Sequence, residues 1–438
     1  MVLQDKIKML RYALKNRYIK DNFIMMTGTL LGGLLGYLYH FIVSRQMSVA
    51  EYGELQSLLS IFLIFGVFNS ALSFFTVRHT SVFAAHDDQA ANGEFIDYLI
   101  PNVRKYAVIF FVLLLIFSSI FSSALHFSSS TGFIIISLAT FISTIAVIYM
   151  EVLRGWKEFF IVSVVGVAVV FTKLASGAVL VFFSPKTSVV SISILIPSLA
   201  GWYLAKYWSR KKIITRNVQG TKTGWKDKYF SETNMRRSAL NIFFFSSVLV
   251  LVSNLDMVIV KYFSSPETAG HYGAFSLLGK IILWLNLAVV AVMLPGACAD
   301  GHKGKRPGKK NLLKSYGLMA IIAAGLILAY YIMPDFIINL FFGKKYTLDT
   351  HLLWLFGVMS YLLSILTLEA NLSFAKHDFR VVYFLAGTVL LMIAGLSKFH
   401  ADLEQIVFAF SVTFLLSYVS VAALNLSHEK RRLRVKNP

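Results

Sequence analysis

An all-α polytopic membrane protein of about twelve transmembrane helices, in two six-helix bundles, follows from three observations on the sequence. The 438-residue chain is 57% hydrophobic and only 15% charged, with a mean hydropathy of +0.67, a usage outside that of soluble globular domains. Apolar stretches of roughly 20 residues, enough to cross about 30 Å of hydrocarbon as helix, recur from one end to the other. The basic residues, finally, are sorted between alternate connecting segments.

The apolar stretches place helices at 23–43, 55–75, 106–126, 132–151, 161–183, 189–208, 239–260, 273–295, 315–333, 351–372, 379–397 and 404–426. Of the 42 Lys and Arg, 34 fall in the N-terminal segment and every second connection after it, Lys206 and Arg380 being counted with the connections that their helix ends adjoin. Six fall in the intervening loops (Arg45, Lys186, Lys261, Lys344, Lys345, Lys398), and Lys173 and Lys280 lie within helices. Cytoplasmic segments carry the excess of positive charge, so both ends are expected in the cytoplasm of a bacterial inner membrane. The organisation read from this is a basic N-terminal segment (1–22), a first bundle (23–208), a basic linker (209–238), a second bundle (239–426) and a basic tail (427–438).

Three basic runs, 210–216, 303–310 and 429–436, read as topology signals or contacts with anionic lipid. Residues 6–20, with Met9, Leu10, Ala13 and Leu14 at helical spacing among basic residues, suit an amphipathic helix on the inner surface. The first apolar stretch is of full spanning length, which does not suit a removed signal peptide. Cys298 is the single cysteine and is read as a buried or inert thiol. The outer loops are short and leave no room for a catalytic domain.

The two halves repeat at an offset of about 216–220 residues. RQMSVAEYG at 45–53 is echoed by KYFSSPETAGHYG at 261–273, and EVLRGWKEFF at 151–160 by EANLSFAKHDF at 369–379. Six helices is an even number, so both halves enter the membrane from the same side and are expected to be related by a pseudo-twofold axis along its normal. That is a transporter architecture.

With the repeat in place, the chain resembles, over its full length, the polysaccharide transporter branch (oligosaccharide flippases, Wzx-like) of the multidrug/oligosaccharidyl-lipid/polysaccharide exporter superfamily. The resemblance is carried in order by SVAEYGELQSLLS at 48–60, LRGWKEFFIVSVVG at 153–166, NLDMVIVKYFSSPETAGHYGAFSLLGK at 254–280, VMLPG at 292–296 and PDFIINLFFGKKYTLDTHLLWLFG at 334–357. Twelve helices rather than fourteen separate it from the lipid II flippase branch. The resemblance implies a non-enzymatic flippase that moves polyprenyl-diphosphate-linked oligosaccharide to the outer leaflet for O-antigen, capsule or exopolysaccharide assembly. Membrane lipids and polysaccharide polymerase or assembly proteins are the implied partners, and alternating access the implied mechanism.

Charged side chains at membrane depth are costly, by roughly 2.5 kcal/mol or more, and face a wet cavity or a partner. Lys173 is the first choice for substrate contact, a cavity-lining role being weighed against a structural ion pair. Lys280 and Asp256 lie at similar depth and are placed to pair; the resemblance adds that an acidic residue late in the seventh helix is usual in the family. Arg45, Lys261, Arg78 and Arg154 have two readings: interfacial anchors, or, with Lys173 and Lys280, a cationic path that replaces the hydration of a diphosphate. Glu151 and Glu369 occupy equivalent inner helix ends and either hold Arg154 and Lys376 in place or, like Asp256, bind a driving proton or sodium ion; no other cofactor or metal is implied. Sugar specificity falls to polar residues such as Asn69, Asn254, Asn286, Asn371 and Tyr149, which serve equally well as interhelical hydrogen-bond partners.

A cation-coupled small-molecule exporter of the same fold is the alternative. It would prefer an acidic or aromatic cavity, whereas basic residues outnumber acids here. A membrane glycosyltransferase or polymerase would need carboxylates, histidine or a metal cluster at a membrane face, and no H-E-x-x-H, D-x-D or glycine-rich phosphate loop is present. Nucleic acid is not an expected partner, since the basic clusters lack interleaved stacking aromatics.

Overall fold

The computed structural model describes residues 17–213, 224, 235–302, 309–376 and 378–436, and over these it is helical without strands. The expectations for residues 6–16, for most of the linker, for the run at 303–308 and for the side chains of Cys298 and the 429–436 run lie outside the described residues. Twelve helical segments are long and apolar enough to span a membrane. They are α1 (Lys20–Gln46), α2 (Val49–Ala85), α3 (Gln89–Ala124), α4 (Thr131–Gly155), α5 (Phe159–Phe183), α6 (Thr187–Lys212), α7 (Leu240–Phe263), α8 (Pro266–Val290), α9 (Leu312–Ile332), α10 (Thr350–Ala375), α11 (Val381–Lys398) and α12 (Leu403–Ser427).

All twelve predicted helices are present, and the largest differences are at α2 and α3. Their expected ends, 75 and 106, follow the apolar runs; the helices continue to Ala85 and begin at Gln89. Arg78, Glu94, Arg104 and Lys105 interrupt the apolar pattern but not the backbone hydrogen-bond ladder, which needs no apolar side chains once it leaves the hydrocarbon. A three-residue turn joins them. Asp87 takes the left-handed conformation (φ 52°), and the Asp88 carboxylate accepts the Ala91 N–H at 2.9 Å, capping an otherwise orphaned donor of α3.

Two compact units divide the chain. The first contains residues 1–46, 65–122 and 128–240; the second contains 47–64 and 123–127 as well as 241–438. Within the first, α1 packs on α5, α5 and α4 on α6, and the C-terminal half of α2 (Val67–Ala85) on α4. Aromatic and branched side chains such as Phe83, Phe95, Ile148, Val152 and Val165 fill its core. In the second unit α10 is central, packing on α8, α9 and α12. Two-thirds (67%) of its apolar window is buried, against 17% for the peripheral α9.

Where bilayer is the solvent, apolar area between helices is no driving force, so close approach at small residues does much of the packing. Gly177 of α5 shows this: a Cβ there would lie 2.3 Å from the Tyr39 ring of α1. Gly279 of α8 likewise lets that helix approach α10, where a Cβ would meet the Phe356 carbonyl oxygen at 2.6 Å.

Candidate functional site

Each unit contains a cluster of buried polar groups, and the two differ in charge. In the first, Lys173 and Gly177 are four residues apart on α5 and so share one face. The glycine admits the Tyr39 ring, and the lysine lies over it, with Nζ 4.3 Å from the ring centroid. Tyr39 is fully buried and is fixed at its other end by a 2.8 Å hydrogen bond between its hydroxyl and that of Ser193 on α6. The buried His40 meets the Tyr39 ring edge-on. Among the described residues no carboxylate pairs with Lys173. The structural ion pair is therefore not what holds it; the negative face of an aromatic ring is.

In the second unit the pair expected from depth forms. Asp256 on α7 receives Lys280 of α8 on both oxygens, at 3.1 and 3.0 Å. Its Oδ2 also accepts the Tyr272 hydroxyl at 2.9 Å and the Ser276 hydroxyl at 3.4 Å. The residues at 272, 276 and 280 recur every four positions and present three donors from one face of α8. This is a neutral, well-bonded pair, so Lys280 is not a free cation here.

Lys261 corrects the anchor reading. It is fully buried, 0% exposed, with Nζ 3.8 Å from Glu54 on α2 and 5.4 Å from the centre of the Phe127 ring. Glu54 escaped the sequence reading because it sits inside SVAEYGELQSLLS, where Glu51 already accounted for the acidic punctuation. Arg45 and Arg78 are exposed near helix ends, where anchoring is consistent with their place.

Glu151 holds Arg154 at 2.6 Å, as expected. Glu369 does not hold Lys376 directly. It accepts the hydroxyl of Tyr316 on α9 and, at 2.5 Å, the amide of Asn425 on α12, whose own oxygen takes the Lys376 ammonium at 3.2 Å. Tyr316 and Asn425 are missing from the sequence reading, since contacts among α9, α10 and α12 have no local signature.

The polar residues put forward for sugar contact are engaged within the protein. Asn69 donates to Ser143 at 3.5 Å and Asn286 to Ser364 at 2.9 Å, each across two helices. Asn254 and Asn371 bond carbonyls one turn back on their own helices, and Tyr149 is 4% exposed.

No protein-family model matches the sequence, and no curated protein matches it. Solved structures do match the fold. An inward-facing multidrug resistance MATE family transporter of the MOP superfamily aligns with a TM-score of 0.73 at 9% identity, over 94% of this chain and 99% of that one. The lipid II flippase MurJ, in an inward closed conformation, gives 0.64 at 12% identity over 91% and 86%. A MOP superfamily transporter from Pyrococcus furiosus, described as having a binding pocket of reverse polarity, gives 0.57 at 13% identity over 96% of each chain. Matches this long at identities this low show the fold alone: the twelve helices of this chain are arranged as in these transporters.

Proposed function

We propose that this protein is a flippase that moves polyprenyl-diphosphate-linked oligosaccharide from the cytoplasmic to the outer leaflet of a bacterial inner membrane by alternating access, supplying polysaccharide assembly. The observation that carries this reading is Lys173, a lysine within a membrane-spanning helix, seated on an aromatic ring with no carboxylate partner among the described residues. An ammonium at that depth is costly unless something anionic visits it. A diphosphate is such a visitor, because charge-assisted hydrogen bonds from the lysine replace the hydration it loses. The polyprenyl chain stays in lipid while the headgroup crosses. With Lys280, Lys261 and Arg154 each beside a carboxylate, the cationic path narrows to Lys173, with Arg45 and Arg78 towards the ends. Both termini are cytoplasmic in this reading, and polymerase or assembly proteins act on the delivered unit.

A cation-coupled small-molecule exporter is the second reading, and Asp256 is the observation that favours it: displacing Lys280 presents a buried carboxylate to a cationic solute. The test is transfer of a fluorescent polyprenyl-diphosphate oligosaccharide across proteoliposome membranes. Transfer by the intact protein that falls at least tenfold in Lys173→Ala, with folding retained, supports the flippase. No transfer by the intact protein, while a cationic dye is exported, selects the exporter.

A further inference from the structure

The second unit has an open groove of about 280 Å³ between α11 and α12. Phe384, Gly387 and Leu391 of α11 line it, with Ser417 and Ser420 of α12. Phe384 and Leu391 are exposed, as suits a helix face turned to lipid. Further along, the two helices meet: a Cβ on Gly395 would touch Thr413 and Ala409 at 3.8 and 3.9 Å, ordinary packing distances. Hydroxyls in the groove walls are engaged within the protein. Thr388 donates to Ser417 at 2.8 Å, and Ser420 donates to the Leu416 carbonyl at 2.8 Å. The groove therefore offers a ligand mainly apolar surface, which suits a hydrocarbon chain and not a sugar.

Gly387 keeps the groove open. Gly177 and Gly279 each make room for a neighbouring helix, whereas a Cβ on Gly387 would meet nothing within 4 Å. Glycine inside a helix is less favourable than alanine, and here no protein group takes the room it leaves. Residues 380, 384, 387 and 391 follow one another at spacings of four, three and four, and so share one face of the helix. The groove thus lies on the face headed by Arg380, the residue just before α11. Arg380 spends two of its five N–H donors on Asp378, at 2.9 and 2.6 Å. Its side chain is 45% exposed.

A cation at the end of a spanning helix, above a groove that takes hydrocarbon, is complementary to an amphiphile whose head carries a phosphate. We propose that this groove binds one phospholipid of the surrounding membrane, with an acyl chain laid over Gly387 and its phosphate on Arg380. The chain supplies the packing atoms that the glycine leaves out, and the guanidinium bonds the phosphate with donors that Asp378 does not use. A transported lipid has the same hydrocarbon chemistry. Arg380, however, fixes a head at the membrane surface, whereas a transported head has to leave it. Because α11 packs chiefly on α12, a lipid seated between them adds contact where the two helices leave space. The site does not depend on what the protein carries.

The test is native mass spectrometry of the full chain released from detergent micelles, with dioleoyl phosphatidylglycerol titrated in and the Kd of the first bound lipid read out. Gly387→Leu fills the groove from a position where a Cβ meets no other group, and should weaken that binding about tenfold or more. Gly325→Leu puts the same side chain at an exposed position of α9 where a Cβ also meets nothing, and should bind as the parent does. Arg380→Gln should weaken binding about tenfold, the loss of a charged hydrogen bond. Equal affinities for Gly387→Leu and Gly325→Leu overturn the site, and a folded Arg380→Gln that binds as the parent does overturns the place given to the phosphate. Should Arg380→Gln fail to fold, the two leucine variants decide alone. A polyprenyl phosphate that binds more tightly than phosphatidylglycerol, and is lost in Gly387→Leu, also overturns the proposal by giving the groove to a cargo chain. No transport is measured, so a negative transfer assay leaves this result standing.

Discussion

Lys173 and Lys280 begin from the same sequence signal, a single lysine in an apolar helix, and the structure treats them in opposite ways. Lys280 is bonded to both oxygens of Asp256 and shares that carboxylate with Tyr272 and Ser276. Lys173 has an aromatic ring beneath it and no carboxylate beside it among the described residues. A satisfied pair is a structural element, whereas a cation left on a ring is available to a ligand. Depth in the membrane therefore selects candidates, and the counter-ion decides between them.

The largest effect expected from this difference is in stability. Asp256→Ala strands the Lys280 ammonium, whose side chain is only 16% exposed, and is expected to destabilise the folded protein by about 3 kcal/mol. Unfolding of the purified protein in detergent measures this. Adding Lys280→Met should recover most of the loss, since removing both charges leaves neither to be stranded. An Asp256→Ala loss below about 1 kcal/mol would mean that the pair is not the structural element described here.

The helices were legible in the sequence because a bilayer imposes length and polarity on every span. Asp256 with Lys280 was legible for a second reason: depth can be counted along two neighbouring helices, and a hairpin brings equal depths together. Glu54 with Lys261 was not, since it joins residues from different halves of the chain. Tyr39 is informative in the same way. Nothing local marks it as a platform for Lys173; only the packing of α1 on α5, with Gly177 making the room, turns an ordinary helix tyrosine into one. Arg78 and Arg104 misled the ends of α2 and α3, because charge marks where a helix leaves lipid and not where it stops.

An intermediate effect is expected at Glu369. Of the three carboxylates put forward for a driving ion, Glu151 holds Arg154 and Asp256 holds Lys280. Glu369 is instead bonded by the neutral groups of Tyr316 and Asn425, which makes it the carboxylate we assign to coupling. Glu369→Gln places an amide N–H against one of these donors, so Asn425 has to turn its oxygen towards the glutamine and away from Lys376. The expected loss of stability is about 1 kcal/mol, one hydrogen bond. In the oligosaccharide transfer assay the dependence on a proton or sodium gradient should disappear while downhill transfer persists. Unchanged dependence on both ions removes Glu369 from that role.

The smallest change in stability should come from the residue with the largest effect on transfer. Lys173→Met removes a charge that is not bonded to any carboxylate described here and replaces it with an apolar chain of similar length. What is lost is a cation–π contact, about 0.5–2 kcal/mol, and what is gained is relief from holding an ammonium at membrane depth. The two nearly cancel, and unfolding should shift by less than about 1 kcal/mol in the same detergent experiment that shows the Asp256→Ala loss. Transfer of the diphosphate-linked sugar should meanwhile fall as far as it does in Lys173→Ala. A structural lysine gives the reverse, with stability lost and transfer kept once the protein is folded. If Lys173→Met destabilised the protein as strongly as Asp256→Ala, Lys173 would have a counter-ion after all, and the contrast between the two lysines would no longer separate binding from structure.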